Sequence, residues 1–229
     1  MYSPDGWSRQ RGDGSTPIVL LPGWATDARV FADLPLRGDT ICRHGLISGP
    51  IDSLAAKLEE WQCPPIYLLG WSLGGFAAIA FARAHPQWVA EVVLVGVRRH
   101  YPHAQIDALT RALHEDKARA LADFYRQCFL PAQRAEYRRF HATLQPEYQA
   151  EFPLEELVSG LEYLAGQELT PARWPGCPVK LIHGEHDLIA PLAEVCRLAE
   201  ETGAPLHILP EVGHSAFLAP DFLAVVGHA

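Results

Sequence analysis

Short continuous apolar runs recur along the first hundred residues, each followed by a turn and then a segment of helical period. Residues 17–21 (PIVLL), 66–69 (IYLL) and 88–95 (WVAEVVLV) predict buried strands, the last interrupted only by Glu91. Residues 40–44 predict a weaker strand. Residues 7–11 predict a short edge strand in a polar opening with turn signals at Pro4, Asp5-Gly6 and Asp13-Gly14. Residues 52–61 place Leu54, Ala55 and Leu58 on one helical face with Ile51, and Asp52 is the expected N-cap. The Ala-rich run at 76–84 predicts a helix that ends at His85-Pro86.

From 98 to 173 the strand pattern disappears. Helical patterns at 104–114, 116–129, 132–144 and 154–166 are separated by Pro131, Pro146, Pro153 and Pro171. Strand pattern returns at 179–183 and 205–209, with a helix between them at 192–201 and a closing helix at 216–226. Strands separated by helices imply an α/β fold whose mostly parallel sheet is covered by helices on both faces. The chain therefore reads as one domain, with a core at 1–97 and 174–229 and an inserted helical cap at 98–173. Ligands of such sheets bind beyond the carboxyl ends of the strands.

Composition narrows the classes. Apolar residues make up 48% and charged residues 20%, which suits a globular chain with a real core. A net charge of -8 argues against nucleic acid as a partner. The start has no basic stretch followed by an apolar one, so no secretory signal is expected. No apolar run approaches the ~20 residues that span a bilayer. Five widely spaced cysteines with no C-x-x-C read as reduced thiols of a cytoplasmic protein. A monomer is expected.

The chemistry lies just past the apolar runs. Gly70-Trp71-Ser72-Leu73-Gly74 fits G-x-S-x-G between a strand and a helix, a turn that exposes the serine at its tip. A serine hydroxyl is a weak nucleophile and needs a base within reach. His214, in Glu211-Val212-Gly213-His214-Ser215 after the last strand, is the candidate. Asp187, in His183-Gly184-Glu185-His186-Asp187, is the acid expected to orient it, with Glu185 as competitor. His183 and His186 have the spacing of a zinc pair but no third ligand, so no metal is expected, nor any organic cofactor. The backbone N–H groups of Leu73 and of Trp24, in the loop after residues 17–21, are the expected oxyanion donors.

Leu-Leu-Pro-Gly-Trp (20–24), Gly-Trp-Ser-Leu-Gly-Gly (70–75), His-Gly-Glu-His-Asp (183–187) and Gly-His (213–214) occur in the order of the α/β-hydrolase superfamily, which the chain resembles over nearly its whole length. The fold this implies is the α/β-hydrolase fold with a helical cap. Within it, Gly-Trp-Ser-Leu-Gly-Gly together with Gly-Trp at the oxyanion loop resembles the pimeloyl-acyl-carrier-protein methyl ester esterases of biotin synthesis. Pro22 stands where the superfamily usually has His, and the D-x-P-G-x-G-x-S loop of many relatives is replaced by residues 44–50. The resemblance implies a serine carboxylesterase acting on a small or carrier-bound acyl ester, with acyl-carrier protein as partner. A general short-chain carboxylesterase, a thioesterase or a C–C hydrolase would use the same triad. A catalytically dead fold serving as a binding module is the alternative of another class, and the complete triad argues against it.

Charge in the cap bears on the carrier. Residues 98–139 hold nine Arg and Lys against five Asp and Glu, a net +4 that leaves -12 on the rest. Such asymmetry steers an acidic partner. Arg134 and Arg138, one helical turn apart, are the leading docking candidates, with Arg98, Arg99 and Arg139 beside them. Trp24, Trp71, Phe124 and Phe140 are the candidate pocket residues.

Overall fold

The computed structural model describes residues 6–13, 16–36, 38–129 and 131–227. The turn signals at Pro4, Asp5 and Gly14 lie outside them. Among the described residues seven strands form one sheet: β1 (Trp7–Gln10), β2 (Ile18–Leu21), β3 (Thr40–Arg43), β4 (Ile66–Trp71), β5 (Val89–Val95), β6 (Val179–Gly184) and β7 (Leu206–Leu209). Their spatial order is β1-β3-β2-β4-β5-β6-β7, and only β1 is antiparallel to its neighbour. The chain runs outward from β2 to β3 and then returns to β4 on the other side of β2. The carboxyl ends of β2 and β4, paired at Leu21 and Gly70, therefore meet at a reversal of strand order, where a crevice opens.

Alternation along the strands divides the core. Val19, Leu21, Leu68 and Leu94 pack on one face with α1 (Ser53–Glu60), α2 (Leu73–Ala84) and α8 (Leu192–Thr202). Ile18, Leu20, Leu69, Trp71 and Val95 pack on the other with Phe31, Phe217 and α9 (Phe222–Val226). Glu91, the one charge in the β5 run, pairs with Lys180 of β6 at 3.6 Å.

Three details differ from the pattern reading. Asp52 occupies the N-cap of α1 without a side-chain capping bond, and its carboxylate lies 3.4 Å from His85 Nε2. The segment 216–226 is a 3-10 turn at Ala216–Leu218 followed by the short α9, because Pro220 between them cannot donate within a continuous helix. Pro146 is not a separator. It sits in the first turn of a helix the pattern did not show, α6 (Leu144–Glu151), where a missing N–H removes no helical bond.

Between β5 and β6 lie α3 (His103–Glu115), α4 (Lys117–Phe129), α5 (Arg134–Ala142), α6 and α7 (Leu154–Ala165). Specific bonds hold them over the sheet. Tyr125 of α4 donates to the carbonyl of Ala25 at 2.6 Å. Tyr148 of α6 donates to Asp27 at 3.0 Å, and Arg29 bridges Asp27 to Glu147 and Glu151. Gly160 of α7 lies so close to Trp24 that a Cβ would stand 3.0 Å from its Cδ1. No helix among the described residues is long and apolar enough to cross a membrane.

Candidate active site

The elbow is a steric consequence of its glycines. A Cβ on Gly74 would stand 2.2 Å from the Leu21 carbonyl oxygen, and one on Gly70 would stand 2.6 Å from that of Gly74. Only glycine lets α2 pass this near β2 and β4. Ser72 between them takes φ 52° and ψ -117°, a strained conformation that costs on the order of 1–3 kcal/mol. Its N–H donates to Val95 at 2.9 Å, and its carbonyl accepts from Gly75 at 2.9 Å. The side chain is thereby presented at the amino end of α2. Leu73 is the first residue of that helix, so its N–H has no helical acceptor. Beside it, the loop after β2 turns at Ala25 with φ 57° and is pinned by Thr26 donating to the Gly23 carbonyl. These two loops carry the N–H groups of Leu73 and Trp24.

The other two residues stand on neighbouring strand ends. Asp187 follows β6, and its Oδ1 accepts from the N–H groups of Ile189 and Ala190, both at 2.8 Å. Its Oδ2 accepts from His214 Nδ1 at 2.8 Å. Burial raises the Asp187 carboxyl, but His214, His183 and the Ala190 N–H together outweigh it and hold the group below the usual carboxylate range. Nδ1 therefore carries the proton that it donates to Asp187, and Nε2 is buried and without a hydrogen-bond partner among the described residues, Ser72 included. Glu185 is exposed and accepts from the N–H of Glu211, so Asp187 and not Glu185 meets the imidazole.

Two neighbours were not singled out in the pattern. Gly96, at the end of β5 with φ 59°, lies beneath the imidazole, and a Cβ there would stand 3.1 Å from His214 Nδ1. A glycine one residue past an apolar strand was the available signal. Tyr101 approaches Ser72 from the pocket side, its hydroxyl 3.4 Å from Oγ. Burial raises its phenol, so it stays protonated. The Arg98 guanidinium lies 5.2 Å from its ring centroid.

Over Ser72 opens a cavity of about 490 Å³, walled by Trp24, Tyr101, Ile106, Leu109, Phe124 and Leu161 among others. Trp24 and Phe124 meet edge to face at 4.7 Å, as pocket residues should, and the Trp24 indole donates to the Leu157 carbonyl at 2.9 Å. Trp71 is elsewhere. Strand alternation turns it to the opposite face, where it packs on Phe217 and donates to the His214 carbonyl at 2.9 Å. Phe140 is also displaced from the pocket. It is buried among Tyr125, Phe129 and Tyr148 between the cap helices.

The five arginines separate. Arg134 and Arg138 are exposed on α5, four residues apart on one face. Arg139, also exposed, pairs with Asp33 at 2.8 Å. Arg99 is half-buried between Glu168 and Glu201. Arg98 is 5% exposed and clamped by Glu194, Gln105 and the Ile189 carbonyl, so it belongs to the pocket wall and not to a docking face. His183 and His186 also diverge. The first is buried and donates to the Ala190 carbonyl at 2.7 Å, and the second is exposed beside Glu185 and Glu211.

A strained serine at a sheet reversal, with a paired imidazole and carboxylate on successive strand ends, defines a class. Residues 6–226 match the alpha/beta hydrolase family, and the chain belongs to that family. It is a hydrolase. Among curated proteins it is 28% identical to the pimeloyl-[acyl-carrier protein] methyl ester esterase of Aromatoleum aromaticum, covering 91% of this chain and 95% of the relative. It is also 28% identical to the enzyme of that name from Chromobacterium violaceum, covering 89% of each. Among solved structures, an esterase from Exiguobacterium antarcticum superposes with TM-score 0.79 at 18% identity, covering 96% of this chain and 93% of that one. A hydrolase from Pseudomonas aeruginosa superposes with TM-score 0.79 at 21% identity, covering 100% and 96%. The structural likenesses speak for the fold.

Proposed function

We propose that the chain is a serine carboxylesterase whose substrate is the methyl ester of pimeloyl-acyl-carrier protein. The observation that carries the esterase reading is the Asp187–His214 pair, bonded at 2.8 Å with a free Nε2, on the same sheet edge as the strained Ser72. The acyl and carrier parts rest on the curated relatives of that name, on the largely apolar cavity and on the exposed Arg134 and Arg138.

The steps follow from the groups present. His214 Nε2 takes the proton of Ser72 as Oγ attacks the ester carbonyl. The new oxyanion accepts from the N–H groups of Leu73 and Trp24. Collapse breaks the bond to the methoxy oxygen, which leaves as methanol with the proton from His214. Water, deprotonated by His214, then attacks the acyl group on Ser72. Collapse of the second intermediate returns that proton to Oγ and releases the carboxylic acid, which ionises to solvent. Asp187 stays ionised throughout and stabilises the imidazolium. The cavity takes the acyl chain, and the carrier lies outside it against α5.

The test is rescue of a biotin-requiring strain that lacks its own methyl esterase. Growth without biotin given by the wild-type chain and not by Ser72→Ala supports the proposal. No rescue by a well-expressed wild-type chain transfers the activity to a general short-chain ester or a thioester.

A further inference from the structure

His214 rides on a loop, residues 211–215, with no regular secondary structure. The imidazole is bonded to Asp187, but that bond alone leaves the backbone beneath it free to shift. The backbone is held from the core, by Trp71 on the His214 carbonyl at 2.9 Å and the His186 N–H on that of Val212 at 2.8 Å, and from the helical insertion as well. Gln133, buried in the link between α4 and α5, donates from Nε2 to the carbonyl of Ser215 at 3.0 Å. Its Oε1 accepts from the N–H of Gly213 at 3.1 Å. One amide thus grips both residues that flank His214. A third bond, from the Ser215 N–H to the Cys128 carbonyl of α4 at 3.0 Å, comes from the same side. The pairing is complementary: the amide offers one donor and one acceptor to a strand of backbone that has one of each to satisfy. An apolar side chain there would leave the Gly213 N–H buried and unpaired, and the Ser215 carbonyl with the Leu218 N–H alone, 3.0 Å away.

We propose that Gln133 is a positioning residue for the catalytic histidine: a cap-borne amide that sets where His214 Nε2 stands relative to Ser72. The inference rests on the triad reading above and goes beyond it by making the insertion part of the base's support.

The test uses the whole protein and p-nitrophenyl acetate, a substrate small enough to need little of the cap. Gln133→Leu keeps the bulk and removes both bonds. Its kcat falls about tenfold or more while KM stays within about twofold, because a misplaced base slows the chemical steps and not binding. The low-field proton resonance of the His214–Asp187 bond shifts or broadens with it. Gln133→Glu supplies the decisive profile. A neutral carboxyl reproduces the donor and the acceptor, whereas a carboxylate turns an acceptor toward the Ser215 carbonyl. The variant therefore loses activity as pH rises through the titration of that carboxyl, a limb the wild type lacks. A folded Gln133→Leu with wild-type kcat and an unmoved resonance overturns the proposal. So does a Gln133→Glu profile that superimposes on the wild type, and this holds even where Gln133→Leu fails to fold. Ser72→Ala, run alongside, separates the two readings: turnover in Ser72→Ala sinks the triad, whereas a dead Ser72→Ala beside wild-type Gln133 variants sinks only the clamp.

Discussion

At Ser72 the backbone is forced into a region that glycine occupies freely and serine does not. The proposed chemistry and stability therefore oppose each other at one residue. Ser72→Gly is expected to abolish ester hydrolysis and to raise stability by about 1 kcal/mol, since the relief of strain exceeds the added chain entropy. Thermal melting beside a p-nitrophenyl ester assay checks both. A second residue-scale effect concerns acid. Burial lowers the His183 imidazole below its usual range. A group with a depressed folded value that is neutral when folded contributes fully above its unfolded value of about 6.5, and the contribution is lost as pH falls below that. Asp187, also depressed, adds its loss at lower pH, as the pH falls through the carboxylate range. Melting temperature should decline from about pH 6.5 downward, with His183→Gln flattening the first part of the decline and leaving the later part.

Among the elements, the strands and the elbow helix were legible because their signals are local. Four to eight apolar residues bounded by turns read as strand whatever surrounds them, and Gly70 and Gly74 announce the close passage of α2. That Ser72, Asp187 and His214 stand at strand ends was legible for the same reason, each lying in the turn that follows such a run. What was hidden depends on packing at a distance. The face that Trp71 takes is settled by Phe217 and the His214 loop, and Arg98 is drawn inward by Glu194, 96 residues away. Gln133 touches nothing near it in sequence that would reveal its role. Helix α6 was obscured by Pro146, whose position in the first turn is innocuous there. That helix is tied to the core by the bond from Tyr148 to Asp27. Tyr148→Phe, which leaves the buried carboxylate short of one donor, is expected to lower stability by about 1–3 kcal/mol, measured by urea unfolding.

For the whole molecule, the insertion presents two faces. Its inner side completes the cavity through Ile106, Leu109, Phe124 and Leu161 and holds the loop after β2 through Tyr125. Its outer side offers Arg134 and Arg138, with no carboxylate partner among the described residues, on a chain otherwise strongly negative. Charge reversal there, Arg134→Glu with Arg138→Glu, should reduce kcat/KM on a carrier-bound ester about tenfold or more at low salt and leave a free ester near wild type. Equal loss on both would place the effect inside the cap and not at a docking face. The most direct measurement is hydrolysis of pimeloyl-acyl-carrier-protein methyl ester by the purified chain, with methanol release followed against the free dimethyl ester. The expected result is turnover that favours the carrier-bound ester and vanishes in Ser72→Ala. No turnover of the carrier-bound ester by a protein that still cleaves p-nitrophenyl acetate would contradict it.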